Sequence, residues 1–445
     1  MKMADNSART PVDGNVAILL KALRSHTYLS LPELRTLLER HSGTDHEFKQ
    51  TISSIEEKKL IEIGSNGCRL SEKGEEWVDE HAHEFEVEEE DLGSGGIPTT
   101  PYAVAKLKME EKHISLFQAL RKIENNQINL RPEFQRAFVW DRVKQSRLIE
   151  SVLIRIPLPA FYLDATDQVN WSVVDGLQRL TTLYKYCREK SFPLEGLQFL
   201  HELEGLHFEE LPSKYKVLIE DDTQLLFYNL MPGTPVEAKF TIFSRVNTGG
   251  MQLTPQEIRH ALNQGTATIL LKELAEDKTF RMVTQGVVES LRMGDRELIL
   301  RALSFMHLGL DRYKEFNELD GFLLAAMSSL NQTPKKDIEK LRVDFIRSLE
   351  KIHAAFGKYA FRKFSRLGGR RSPFNKALFE AWIVSIRPYD KALVLKNKEA
   401  LQRRFANMVD RNPAFVRSIS SSTSSYSAVN TRFTSIEALI AGVLS

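Results

Sequence analysis

The stretch Trp171-Ser172-Val173-Val174-Asp175-Gly176-Leu177-Gln178-Arg179-Leu180-Thr181-Thr182-Leu183 constrains this chain most. A short β-prone run ends in Asp-Gly and passes directly into a helical pattern, so this region is mixed α and β. Glycine lets a backbone come close to a ligand. The helix that opens after it offers unpaired N–H groups and the positive end of a dipole. Asp175 is placed to hold a divalent cation or to orient water, and Gln178 and Arg179 in the first turn are placed to touch phosphate oxygens. Asp175, Arg179 and Thr182 fall on one face at helical spacing, and Leu177, Leu180 and Tyr184 fall on another that reads as core. Asp-Gly before a helix is also common as a plain cap, and that reading stays open beside the first.

The rest of the chain places this stretch in context. Its 445 residues are 42% hydrophobic and 27% charged, which suits about two to four domains with real cores. No apolar run approaches the roughly 20 residues that span a bilayer. Met1–Gly14 lacks the pattern of a signal or transit peptide. The only cysteines, Cys68 and Cys187, lie far apart, which excludes a disulfide framework and fits a reducing cytoplasm. Residues 1–100 hold 11 Lys+Arg against 20 Asp+Glu, a balance of −9, and the remainder holds 50 against 39, a balance of +11. A nucleic-acid or phosphate partner is expected to meet the later part of the chain.

Residues 1–83 read as a small domain. Val16, Leu19, Leu20 and Leu23 form one helix face; Ser30 caps a second helix and Asp45 a third. Leu60–Ile63, the turn Ser65-Asn66-Gly67 and Cys68–Leu70 follow as a hairpin. This order resembles a winged helix, whose acidic surface (Asp45, Glu47, Glu56, Glu57, beside Lys49, Gln50 and Lys58) repels phosphate and favours packing against another domain or a partner over DNA contact. Residues 84–112, opening on the acidic run "EFEVEEED" and a Gly/Ser/Pro stretch, read as a linker. Residues 113–265 read as α+β, with helices capped by Ser115 and Asp141 and strands at Ala160–Asp164 and Trp171–Val174. After Glu209 the pattern is mostly helical, with helix starts at Thr234-Pro235 and Thr254-Pro255, so residues 266–445 read as a helical domain. A loop is expected over 418–429 and a last helix from about Ser435.

Three further motifs carry polar chemistry. In Arg131–Asp141, Gln135 and Arg136 stand between aromatic anchors just before a capped helix, where a guanidinium suits either phosphate or a local carboxylate such as Glu133. In Phe243–Arg259, Asn247 and two glycines place a tight bend before the next capped helix, which reads equally as a plain helix hairpin. In Lys358–Lys376, the cations Arg362, Lys363, Arg366, Arg370, Arg371 and Lys376 alternate with aromatics around Gly-Gly, as a nucleic-acid surface or a solvated charged face would.

Taken in order, "FQRAFVW", "VVDGLQRLTTL", "FSRVNTGGMQLTPQEIR" and "FNKALFEAW" resemble the N-terminal domain of GmrSD-type restriction proteins, most closely over residues 113–265. The resemblance implies a ParB/sulfiredoxin-related fold and a pocket that binds and hydrolyses NTP with Mg²⁺, coupled to DNA cleavage or its control in antiphage defence. By motif match, Gln135 and Arg136 answer to the first box, Asp175, Gly176, Gln178 and Arg179 to the hallmark Asp-Gly-Gln-Gln-Arg loop, and Asn247 to the third box. Asp175, Gln178 and Arg179 are then the expected catalytic residues. Gln135, Arg136, Gly176, Thr182 and Asn247 are the expected nucleotide contacts, and Asp175 the metal ligand. The expected partners are nucleotide and DNA, without a membrane, and with a second copy or an operon-encoded protein left open. Leu177 departs from the hallmark, removing one amide that the family carries at the helix start. Larger relatives also bear a His-Asn-His nuclease domain; after residue 250 this chain has only His260, His307 and His353, widely separated. A non-catalytic regulator that binds nucleotide as a switch, or DNA through the winged helix, is the rival expectation.

Overall fold

The computed structural model describes residues 14–25, 28–40, 45–64, 67–81, 86–92, 108–130, 140–167, 169–246, 253–288, 292–316, 318–365 and 372–444. The chain divides into two compact units, Met1–Gly95 with Gly265–Ser445, and Gly96–Gln264.

In the first unit, α1 (Gly14–Ser25), α2 (Leu31–Arg40) and α3 (Asp45–Glu57) precede the hairpin β1 (Ile61–Gly64) and β2 (Gly67–Leu70), and α4 (Glu72–His81) closes the module. Ser30 and Glu33 cap α2 reciprocally: the Glu33 N–H donates to the Ser30 hydroxyl at 3.4 Å, and the Ser30 N–H donates to the Glu33 carboxylate at 2.7 Å. Leu29 forms a bridge to Cys68, adding a third extended segment beside the hairpin. The apolar face read at Val16, Leu19, Leu20 and Leu23 is buried together with Leu34, Leu38, Phe48, Ile55 and Cys68.

The second unit is a mixed sheet packed with helices. Its elements are β3 (Met109–Ser115), α5 (Leu116–Glu124), β4 (Ile128–Asn129), α6 (Arg142–Leu153), β5 (Phe161–Asp164), β6 (Trp171–Asp175), α7 (Leu177–Cys187), α8 (Ser213–Val217), β7 (Gln224–Leu230), α9 (Val236–Val246) and α10 (Pro255–Leu262). The sheet order is β3-β7-β5-β6-β4, with β3–β7 and β5–β6 antiparallel and β4–β6 and β5–β7 parallel. Ser115 and Asp141 cap α5 and α6 as read, accepting the N–H groups of Gln118 and Lys144. Thr254 and Glu257 form the full reciprocal box at α10, with the Glu257 N–H on the Thr254 hydroxyl at 3.1 Å. At the other Thr-Pro, α9 starts at Val236, but the Thr234 hydroxyl donates to the Met231 carbonyl instead, at 2.9 Å. Three strands escaped the sequence reading. β7 falls in the part expected to be helical, because Leu225–Leu230 is an apolar run without clear period; β3 begins within the expected linker and runs past it, its Glu-Glu-Lys-His pattern being that of a charged edge strand; β4 is only two residues long, too short to show a period.

After Gly265 the first unit resumes as helices: α11 (Thr266–Glu276), α12 (Lys278–Thr284), α13 (Gly294–Tyr313), α14 (Leu319–Gln332), α15 (Lys335–Phe356), α16 (Lys376–Ser385), α17 (Lys391–Lys396), α18 (Lys398–Arg411), α19 (Pro413–Ser418) and α20 (Tyr426–Leu444). The last helix starts nine residues earlier than read: Ser418 ends α19, and only Ile419–Ser425 is left between α19 and α20.

The core of α13, α16 and α20 is largely aromatic, with charge at its centre. Glu380 on α16 is fully buried between Arg301 of α13, whose Nε donates to it at 2.8 Å, and Arg432 of α20, both also fully buried. Arg301 turns its other nitrogens onto the Glu90 carboxylate, and Arg432 donates to the Thr423 carbonyl at 2.7 Å. Each guanidinium is met on several sides, which a cation away from water requires. We predict that Glu380→Gln lowers the unfolding free energy by about 3–5 kcal/mol, because two guanidiniums then share no carboxylate between them. Urea unfolding would check this, and a loss below about 1 kcal/mol would show the network to be dispensable.

Candidate functional site

The junction read from the sequence lies at the carboxyl end of β6. Val173 is buried in the core beneath the sheet; Asp175 ends the strand, and Gly176 turns the chain with φ 96° and ψ 10°, in the left-handed region. A Cβ at Gly176 would lie 2.4 Å from the Phe161 ring, so both the conformation and the space require glycine. α7 then begins at Leu177, and Gly176 at its N-cap position has no side chain with which to cap it. Leu180 is fully buried, with Leu177 and Tyr184 packed against the same core, as read.

Arg179 is used differently from the sequence reading. One of its terminal nitrogens donates to the Asp175 carboxylate at 2.8 Å and to the Ala160 carbonyl at 3.2 Å, the other donates to the Pro159 carbonyl, and the guanidinium lies 4.5 Å above the Phe161 ring. Its fork is therefore occupied within the protein, tying α7 to the entry of β5 and fixing the Asp175 carboxylate. Burial pushes the Asp175 carboxyl above its ordinary value of 3.8, against the pull of Arg179 and of the Gly176 N–H. Burial also lowers the Arg179 guanidinium from its ordinary value, against the pull of Asp175. The pair is thus held by geometry at an electrostatic cost. Thr182 is fully buried and donates its hydroxyl to the Gln178 carbonyl at 2.8 Å, so it is withdrawn from solvent. Gln178 occupies the first turn of α7 and is half-buried.

Gln135, Arg136 and Asn247 lie outside the described residues, as do Arg366, Arg370 and Arg371. The other three cations of the basic stretch face inward. Arg362 is buried and donates to the Ser372 carbonyl at 2.6 Å; Lys363 meets Glu88, and Lys376 meets Glu90 and Glu297. The interleaved aromatics Tyr359, Phe361, Phe364 and Phe374 are core residues.

Sequence reasoning missed an aromatic pair next to the junction. Tyr162 stands opposite Asp175 in the β5–β6 ladder, and its ring stacks on Tyr228 of β7 at 5.2 Å. The Glu111 carboxylate beside Tyr228 raises that phenol above its ordinary value. Phe161 and Phe227, one position earlier in each strand, stack at 5.2 Å within the core. The signal was present: "FYLD" and "FYNL" share a Phe-Tyr dipeptide, and their parallel register sets like beside like, phenylalanines inward and tyrosines on the half-open face. Sequence reading also missed Lys239 on α9, which is buried and bonds both Asp164 oxygens at 2.9 and 3.2 Å and the Thr166 hydroxyl at 2.8 Å, fastening α9 to the β5–β6 hairpin. A recess of about 180 Å³ among Val152, Arg155, Pro157, Leu158, Leu218 and Gln224 does not include the junction residues.

Among the described residues no three His, Cys, Asp or Glu side chains converge as metal ligands. The Asp175 side chain is 22% exposed, enough to offer an oxygen outward.

Two outcomes follow from this geometry. Gly176→Ala forces a Cβ into Phe161 and strains a left-handed residue, and it should destabilise the protein by about 2–3 kcal/mol in denaturant unfolding; an unchanged midpoint would contradict the packing described. Because the folded Asp175 pKa is raised, the folded state holds its proton more tightly than the unfolded chain does. Its contribution is present below the ordinary value of 3.8 and is lost as pH rises through the raised value. Stability of Asp175→Asn relative to the parent protein should consequently increase over that window, as read by urea unfolding at several pH values.

A search of the curated proteins finds no match for the chain. Residues 116–263, from the start of α5 to just past α10, match the family model described as "GmrSD restriction endonuclease, N-terminal domain".

Proposed function

We propose, from the match of residues 116–263 to the GmrSD N-terminal domain model, that the chain binds and hydrolyses an NTP and acts on DNA in a restriction-like defence role. The observation that carries this reading is Asp175: a carboxylate fixed by Arg179 at the end of a strand, beside a helix start whose N-cap is glycine, with a partly exposed side chain. In this reading the first turn of α7 takes phosphate on its N–H groups, and Gln178 orients water or base there. Asp175 holds Mg²⁺, which would supply charge neutralisation at the phosphates. Arg179 is a positioning residue. The half-open Tyr162–Tyr228 pair offers a flat apolar surface beside Asp175 for a nucleobase. Gln135, Arg136 and Asn247 are proposed to complete the nucleotide contacts by motif match. The module at residues 14–81, with its bridge and hairpin, is read as a winged helix that serves the same system.

The test is phosphate release from the four ribonucleotides with Mg²⁺, with and without DNA. Asp175→Ala should lower turnover by about a hundredfold or more while leaving the chain folded. Arg179→Lys, which keeps the charge and loses the fork, should lower kcat more than it raises KM. Hydrolysis that survives Asp175→Ala would remove that residue from its proposed role. Nucleotide binding without phosphate release in the parent protein would favour the regulator.

A further inference from the structure

The acidic run expected to be a solvated linker is, over Glu86–Leu92, bound in a groove of the helical body. Its backbone pairs with the segment before α16: the Phe374 N–H donates to the Glu86 carbonyl and the Glu88 N–H to the Phe374 carbonyl, both at 2.8 Å. Three of its carboxylates, Glu88, Glu90 and Asp91, meet donors. Glu88 accepts from Lys363 and, at 3.0 Å, from the Asn375 side-chain amide; Glu90 accepts from Arg301 and the Thr423 hydroxyl, with Lys376 at 3.8 Å; Asp91 accepts from the Ser422 N–H at 3.1 Å. The other bank of the groove is the Ser/Thr-rich turn after α19, where the Thr423 N–H donates to the Asp91 carbonyl at 2.8 Å. The guanidinium beneath holds Glu90 down at about 2, in spite of the burial that opposes ionisation.

This groove is lined by the sequence's basic stretch and is filled with anions from the same chain. Lysines, a hydroxyl and main-chain N–H groups converging on a row of anions are also the donors that take a phosphodiester backbone without reading bases. The neighbouring aromatics are packed in the core, so base stacking plays no part in such binding. We propose that Glu86–Leu92 is an internal occupant of a phosphate-binding groove, and that the DNA backbone competes with it for Lys363, Lys376 and the Ser422–Thr423 turn. The strap then keeps the chain from binding DNA indiscriminately, and DNA binding requires its release. This rests on the reading of the chain as one that acts on DNA, but not on nucleotide hydrolysis.

The experiment uses the full chain and a short labelled DNA duplex, with affinity measured by anisotropy across a salt series. Glu88→Gln with Asp91→Asn loosens the strap while leaving Glu90 on Arg301. This variant should bind about threefold more tightly per cation released, with a log–log salt slope steeper by about one. Adding Lys363→Ala should cancel the gain. A second readout needs no variant: amide exchange at Glu88 and Thr423 of the parent protein should accelerate at saturating DNA. Equal affinities, a gain that survives Lys363→Ala, or unchanged exchange in the DNA-bound protein would each overturn the proposal. So would a synthetic strap peptide that binds the variant where DNA does not, since the groove would then be a peptide site. Phosphate release measured on the same preparations separates the two readings, because it depends on Asp175 and not on the strap.

Discussion

A guanidinium taken out of water has to be met by carboxylates or carbonyls on nearly every side, and this requirement organises both units. In the mixed-sheet unit, Arg179 is met by Asp175, two carbonyls and an aromatic face, and in meeting them it locks the first turn of α7 to the start of β5. In the helical body, Arg301 and Arg432 are met by Glu380 and by a carboxylate borrowed from far upstream, Glu90. The same physics that makes these contacts costly to form makes them costly to break one partner at a time. They fix which segments stay together more firmly than an apolar contact of equal area would.

How much of this was legible depended on whether the deciding contact was local. The strand-to-helix handover at 171–183, the caps at Ser30, Ser115, Asp141 and Thr254, and the apolar faces of α1 and α7 all rest on residues within a few positions of each other, and they were read correctly. The strand β7 was not read, because an apolar run carries no period with which to choose between helix and strand. The fate of the acidic run was not legible either. "EFEVEEED" has the composition of a solvated linker, and its partners Arg301, Lys363 and Thr423 lie 211, 275 and 333 residues further on. Composition likewise shows that Lys363 and Lys376 are present, not that carboxylates of the same chain already meet them.

The candidate site shows this limit at the scale of one residue. Spacing set Asp175, Arg179 and Thr182 on a common face and suggested three ligand contacts. The fold withdraws Thr182 into the core and spends Arg179 on Asp175 and the β5 entry. What a helical wheel cannot show is that Pro159 and Ala160 arrive with bare carbonyls beside the guanidinium, and the β5–β6 pairing brings them there.

That reassignment changes where the positive charge for a bound triphosphate must come from. On the proposed reading, phosphates at the start of α7 meet N–H groups and Gln178, while the Arg179 guanidinium already gives both terminal nitrogens to Asp175 and two carbonyls. Neutralisation then falls to a metal ion on the open edge of Asp175 and to Arg136, whose segment lies outside the described residues. Leu177 fits the same logic. Packed against the core, it carries the apolar interior up to the first residue of the helix. The polar work at the helix start is concentrated on Asp175 and Gln178, so a carboxylate whose burial opposes its charge has to be ionised to hold a cation. A site built this way has a reason to keep Arg179 beside it: without the guanidinium, the carboxyl would rise further and its affinity for a metal would fall.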